Sequence, residues 1–128
     1  MHIRQIFIIV SILSAFLFTS CSEKNNPASS GANGDFEVTV GSGTKPAYSW
    51  SVGKAFSVSV VRTADPTVIV WGIATPGQGN IASPATHGVT PQGAVATAKT
   101  ELTLSSGVEY RVSVSLIDGK TGYTDFKP

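Results

Sequence analysis

From Phe36 onward the chain repeatedly places an apolar residue at every second position. Phe36, Val38 and Val40 alternate with Glu37 and Thr39. Phe56, Val58 and Val60 alternate with Ser57 and Ser59, and Tyr110, Val112, Val114 and Leu116 with Arg111, Ser113 and Ser115. Leu102 and Leu104 flank Thr103. A strand turns successive side chains to opposite faces, so this period reads as strands with one dry and one wet face. No stretch carries the i, i+3, i+4, i+7 spacing of a helix over three turns. Composition points the same way: residues 35–128 hold 13 Val and 4 Ile against 3 Leu, with 22 Ser and Thr to face solvent. β-Branched side chains favour the extended backbone. Turn residues separate the runs at Gly41-Ser42-Gly43, Ala64-Asp65-Pro66, Ser105-Ser106-Gly107 and Asp118-Gly119-Lys120. The expected fold is therefore an all-β, two-sheet antiparallel β-sandwich of about seven strands.

Two stretches depart from the simple alternation. Val68-Ile69-Val70-Trp71-Gly72-Ile73 is apolar at every position, which predicts a central strand covered on both faces. Residues 74–96 are long and rich in Pro and Gly. They read either as a binding loop on a rigid scaffold or as an edge strand with turns, with a short strand around Ile81–His87.

The first residues read as an address. Met1-His2-Ile3-Arg4 is a short positive start, and Ile6 to Phe18 is an apolar run of 13 residues interrupted only by Ser11 and Ser14. A membrane span needs about 20 such residues, so this run has the length of a signal peptide. The only cysteine follows, in Leu17-Phe18-Thr19-Ser20-Cys21, and this segment resembles the lipobox of bacterial lipoproteins, with Phe18 where the box prefers Leu. The resemblance implies cleavage before Cys21, a diacylglyceryl thioether on its sulfur, and a lipid-anchored protein in the bacterial cell envelope. Ser22 in place of aspartate favours the outer membrane. Residues 1–20 are then the signal peptide. Residues 21–34 are the lipidated cysteine and a flexible linker without a large apolar residue. Its 13 residues from Ser22 to Gly34 span roughly 20 Å as a coil and about 45 Å extended. Residues 35–128 are the domain.

Within that domain, Leu104-Ser105-Ser106-Gly107-Val108-Glu109-Tyr110-Arg111-Val112-Ser113-Val114 resembles the E–F corner and F strand of fibronectin type III domains. Leu104, Gly107, Tyr110, Val112 and Val114 match place by place. Ser106 stands where a proline often precedes the glycine. The resemblance implies a tyrosine corner, in which the Tyr110 ring packs in the core and its hydroxyl returns to backbone just upstream. It covers residues 102–126, ending in a hairpin around Asp118-Gly119. The early tryptophan of the family corresponds to Trp50 or Trp71. Such domains are spacers and binding modules, and the Arg-Gly-Asp tripeptide of some members is absent.

Charge and chemistry narrow the function classes. A net charge of +1, which falls to zero once Arg4 is removed with the leader, provides no footprint for nucleic acid. One cysteine excludes an intramolecular disulfide and a cysteine-rich metal site. His87 is the only histidine after the leader. A Ser83/His87/Asp65 hydrolase lacks the Gly-x-Ser-x-Gly elbow, so His87 is expected to be a loop or strand residue, with ligand binding as the alternative. Asp118 and Asp125 lack the alternating ligands of a calcium loop, and Glu101 and Glu109 are expected to be solvated charges rather than a glycosidase pair. Tyr48 and Trp50 share one side of an extended segment, as core residues or as a stacking platform for sugar rings. Lys54, Arg62 and Arg111 are scattered and read as solubilising charge. The expectation is a non-catalytic envelope module without a cofactor or metal, membrane-bound through Cys21, that engages a protein partner. The alternative is a carbohydrate-binding accessory lipoprotein that holds polysaccharide through Tyr48 and Trp50.

Overall fold

A computed structural model describes residues 29–31 and 33–128. The leader at residues 1–20, Cys21 and the polar residues 22–28 lie outside the described residues. Ten strands are present among those described: β1 (Ser29–Gly31), β2 (Asn33–Gly34), β3 (Val38–Val40), β4 (Ala47–Ser49), β5 (Ser57–Arg62), β6 (Asp65–Ala74), β7 (Ala85–Thr86), β8 (Val95–Lys99), β9 (Tyr110–Ser115) and β10 (Thr121–Phe126). They form a four-stranded sheet in the order β1-β3-β4-β7 and a six-stranded sheet in the order β2-β10-β9-β5-β6-β8. Every pairing is antiparallel. The architecture is an immunoglobulin-like β-sandwich: the alternation predicts the sandwich, and the resemblance around Tyr110 implies the immunoglobulin-like plan.

The core follows directly from the period of two. Val38 and Val40 on β3, Tyr48 on β4, Val58 and Val60 on β5, and Tyr110, Val112 and Val114 on β9 are all fully buried. Full burial of each valine contributes on the order of 1.5–3 kcal/mol. Trp71, Ile73, Trp50, Ile81 and Phe126 complete the same cluster. On β10 the inward positions are Gly122, Thr124 and Phe126. Gly122 is there because a Cβ would lie 2.6 Å from the Phe36 carbonyl oxygen and 2.8 Å from its ring.

Three expectations are corrected by pairing and burial. The folded unit starts before residue 35: Ser29–Gly31 pairs with β3 and Asn33–Gly34 with β10. Strand addition uses backbone N–H and C=O groups, which a polar segment with nothing to bury carries as well as any other. The apolar run in β6 is covered on both faces only from Val70 to Ile73, four successive buried residues, whereas Val68 and Ile69 are exposed by 47% and 43%. Adjacent Val70 and Trp71 are both buried because the pairing slips at a β-bulge. Val60 faces Trp71 and Val61 faces Ile69, leaving Val70 as the extra residue. Leu102 to Leu104 forms no strand. Leu104 is buried and its N–H donates to the Thr44 carbonyl at 2.9 Å, while Leu102 is exposed.

Residues 74–96 follow the edge-strand alternative. β7 edges the four-stranded sheet, and residues 95–96 begin β8, the edge of the other. Between them Ile81 bridges Ala55, and Ile81, Ala85 and His87 are buried. The Pro- and Gly-rich composition reflects the turns between these short contacts.

Candidate functional site

The most densely connected polar group of the described residues is built around His87. It follows β7, and its backbone N–H donates to the Pro46 carbonyl at 2.9 Å, which turns the side chain inward. The imidazole is fully buried, 4.7 Å from the Trp71 ring and 6.0 Å from that of Tyr48 between centroids. Its Nε2 lies 2.7 Å from the Glu101 carbonyl oxygen, and its Nδ1 lies 2.8 Å from the Tyr48 hydroxyl. A carbonyl only accepts, so Nε2 carries the proton and Nδ1 accepts from the Tyr48 O–H. Burial holds the imidazole below its ordinary pKa, against the opposing effect of the Glu101 backbone bond. Burial likewise pushes the Tyr48 phenol upward, with Tyr110 adding to the effect. Both groups are neutral in the folded chain at neutral pH.

Glu101 continues the network to the other sheet. Its carboxylate accepts from the Tyr110 hydroxyl at 2.8 Å through Oε1, and from Arg62 Nε at 2.8 Å through Oε2. Its N–H donates to the Val70 carbonyl at 2.8 Å. The Tyr110 hydroxyl in turn accepts the Ser105 N–H at 2.9 Å, which is the corner bond inferred from the sequence. Leu104 is buried and Gly107 takes a φ of +81°, a left-handed turn that suits glycine. The Phe126 ring lies 5.8 Å from both Tyr110 and Tyr48.

Several candidate residues have different roles from those the sequence suggests. Tyr48 and Trp50 are both buried, and the Trp50 Nε1–H donates to the Gly53 carbonyl at 2.6 Å. Rings enclosed in the core offer no face to a sugar, so the stacking platform at Tyr48 and Trp50 is excluded. His87 has both ring nitrogens bonded within the protein and offers neither to a ligand. Neither ring nitrogen bonds Ser83, whose hydroxyl instead accepts the Trp50 N–H at 2.9 Å. Glu101 is not a solvated charge, with its side chain only 15% exposed. Glu109 is exposed and accepts the Thr63 hydroxyl at 2.7 Å. Asp118 accepts the Lys120 N–H at 3.0 Å within its turn, as expected. Arg111 forms a two-point pair with Asp125 at 2.6 and 3.1 Å and lies 4.5 Å over the Tyr123 ring. Glu101 is the residue that sequence reasoning missed. Its partners lie 9, 14 and 39 positions away, beyond any local pattern.

The surface carries shallow depressions. One of about 190 Å³ is bounded by Arg62, Asp65, Val68, Val70, Thr100 and Glu101. Another, of about 200 Å³, lies between Glu37, Thr39, Ser49, Trp50 and Ser51. Both fall below the roughly 300–1,000 Å³ of ligand pockets. In the first, Arg62 and Glu101 already neutralise each other at 2.7 Å. Among the described residues no group of three His, Cys, Asp or Glu is placed to hold a metal ion, and no helix is long and apolar enough to cross a membrane. Comparison of the chain with protein-family models, with curated proteins and with solved structures finds no match.

Proposed function

We propose that the chain is a lipid-anchored, non-catalytic module of the bacterial cell envelope, built on a fibronectin type III-like plan and serving as a spacer or a docking unit for a protein partner. One observation carries the reading: the only cysteine stands at the end of an apolar run of signal-peptide length and opens a polar stretch. A thiol there is the nucleophile that takes a diacylglyceryl group, and further acylation makes the anchorage stable. The interior is consistent with a scaffold, because the hydrogen-bonding groups of His87, Tyr48 and Tyr110 are all spent within the protein. Ser22 after the cysteine favours the outer membrane over the inner.

Cell fractionation with Cys21→Ser tests the anchor. The unaltered chain is expected in the membrane fraction and to incorporate labelled palmitate. The variant is expected to lose the label and to appear soluble or unprocessed. Unchanged partitioning of Cys21→Ser would refute lipidation.

A further inference from the structure

The His87 network joins three segments that lie outside the strand ladders. The imidazole belongs to the turn after β7. Its backbone N–H is held by Pro46, and the Leu104 N–H is held by Thr44, both at 2.9 Å and both in the turn before β4. The backbone of the β7 turn also packs closely on the third segment, since a Cβ at Gly88 would lie 2.8 Å from the Leu102 carbonyl oxygen. The two ring nitrogens of His87 fasten this arrangement, one to Tyr48 of the four-stranded sheet and one to the Glu101 carbonyl. Segments outside the ladders, with few buried side chains, are where a small domain opens first. Here the buried side chains of residues 84–89 and 101–104 are Ala85, His87 and Leu104, and β7 within them holds to its sheet by two residue pairs alone, Ala47 with Thr86 and Tyr48 with Ala85.

We propose that His87 is a proton-operated latch, whose charging by mild acid releases residues 84–89 and 101–104 from the turn before β4 while β5, β9 and β10 stay folded. The latch is independent of the lipid anchor. A proton arriving at Nδ1 turns the acceptor of the Tyr48 O–H into a donor, so the buried phenol loses the only hydrogen-bond acceptor found for its proton among the described residues. Among the charged groups around the ring, the Glu101 carboxylate favours charging more than the Lys45 ammonium opposes it, and burial is what outweighs both and keeps the latch neutral. The Lys45 ammonium, in the turn before β4, opposes charging. The Glu101 carboxylate favours it, but is already engaged with Arg62 and Tyr110. Trp71 of β6 and Phe126 of β10 carry no titratable group.

The sign follows from linkage. The latched imidazole is held below the ordinary histidine value of 6.5, and the released one recovers it. The open form therefore binds the proton first, and opening becomes more favourable as the pH falls below about 6.5. Between pH 7.5 and 5.5 the open population is expected to rise, by at most about tenfold, the limit for a latched ring that stays neutral throughout.

Amide hydrogen exchange on the full chain as isolated from cells, corrected for the intrinsic pH dependence of exchange, tests this. Protection over residues 84–89 and 101–104, taken relative to β9, should fall from pH 7.5 to 5.5, by at most about tenfold, beginning near pH 6.5. His87→Gln retains an acceptor for Tyr48 and a donor for the Glu101 carbonyl without a titrating group, so its ratio should stay flat. A constant ratio in the unaltered chain, an equal fall in His87→Gln, or an equal loss of protection in β9 would each overturn the latch. If His87→Gln fails to fold, the onset in the unaltered chain decides. A decline that starts only below about pH 5 belongs to carboxylates and overturns the assignment.

Discussion

Replacing Tyr110 by Phe removes one oxygen and leaves the ring in place, so the cost reports on two hydrogen bonds. The hydroxyl accepts the Ser105 N–H at 2.9 Å and donates to the Glu101 carboxylate at 2.8 Å. A neutral bond of the first kind contributes about 0.5–1.5 kcal/mol, and one to a charged acceptor about 1.5–3 kcal/mol. Part of the loss is recovered. Ser105 is exposed, so water reaches its N–H, and Glu101 keeps Arg62. The expected destabilisation is therefore about 1.5–3 kcal/mol, equivalent to roughly 10 °C in Tm for a domain of this size. Urea unfolding followed by tryptophan emission should show a lower midpoint with an unchanged slope, because no surface is newly exposed. Glu101→Gln separates the two bonds. In a double-mutant cycle with Tyr110→Phe, a coupling of about 1 kcal/mol or more is expected for groups in direct contact. A loss below about 0.5 kcal/mol, or strictly additive effects, would show that the corner does not bear on the core as derived.

Three further changes probe other parts of the fold. Gly122→Ala forces a Cβ against the Phe36 carbonyl and ring, and should cost about 1–3 kcal/mol by overpacking; a neutral result in thermal unfolding would show that Phe36 is free to move aside. Gly107→Ala has open space around its Cβ but a φ of +81°, so calorimetry should show a loss of about 1–2 kcal/mol from backbone strain alone. Ile81→Ala should destabilise by about 2–5 kcal/mol because Ile81 is fully buried; a change under 1 kcal/mol in urea unfolding would return residues 74–96 to the status of a loose loop.

Where the residues that define an element are close in sequence, the reading from sequence carries through. The alternation of Val112 and Val114 with Ser113 and Ser115 places β9, and the bond from Tyr110 to Ser105 that the resemblance at Leu104, Gly107 and Tyr110 implies is present, each spanning only a few residues. Tyr48 and Trp50 illustrate the opposite case. Their spacing puts them on one side of a strand, but the same spacing serves a sugar platform and a core. What lies opposite them decides between the two, namely Trp71 and Phe126 across the sandwich for Tyr48 and Gly53 for the Trp50 indole.

The period-two pattern and the valine-rich composition determined by themselves that this chain is an all-β sandwich, since strand geometry translates that period into one buried face without reference to anything distant. The tertiary structure decided the rest. It added Ser29–Gly31 and Asn33–Gly34 to the two sheets through backbone pairing that no side-chain pattern encodes. It placed a bulge in β6 that buries two successive residues. It turned His87 and Glu101 from candidate surface chemistry into a buried network. The physical reason is the same in each case. Burial, protonation and hydrogen-bond partnership belong to pairs of residues, and here the partners are separated by the crossings between two sheets.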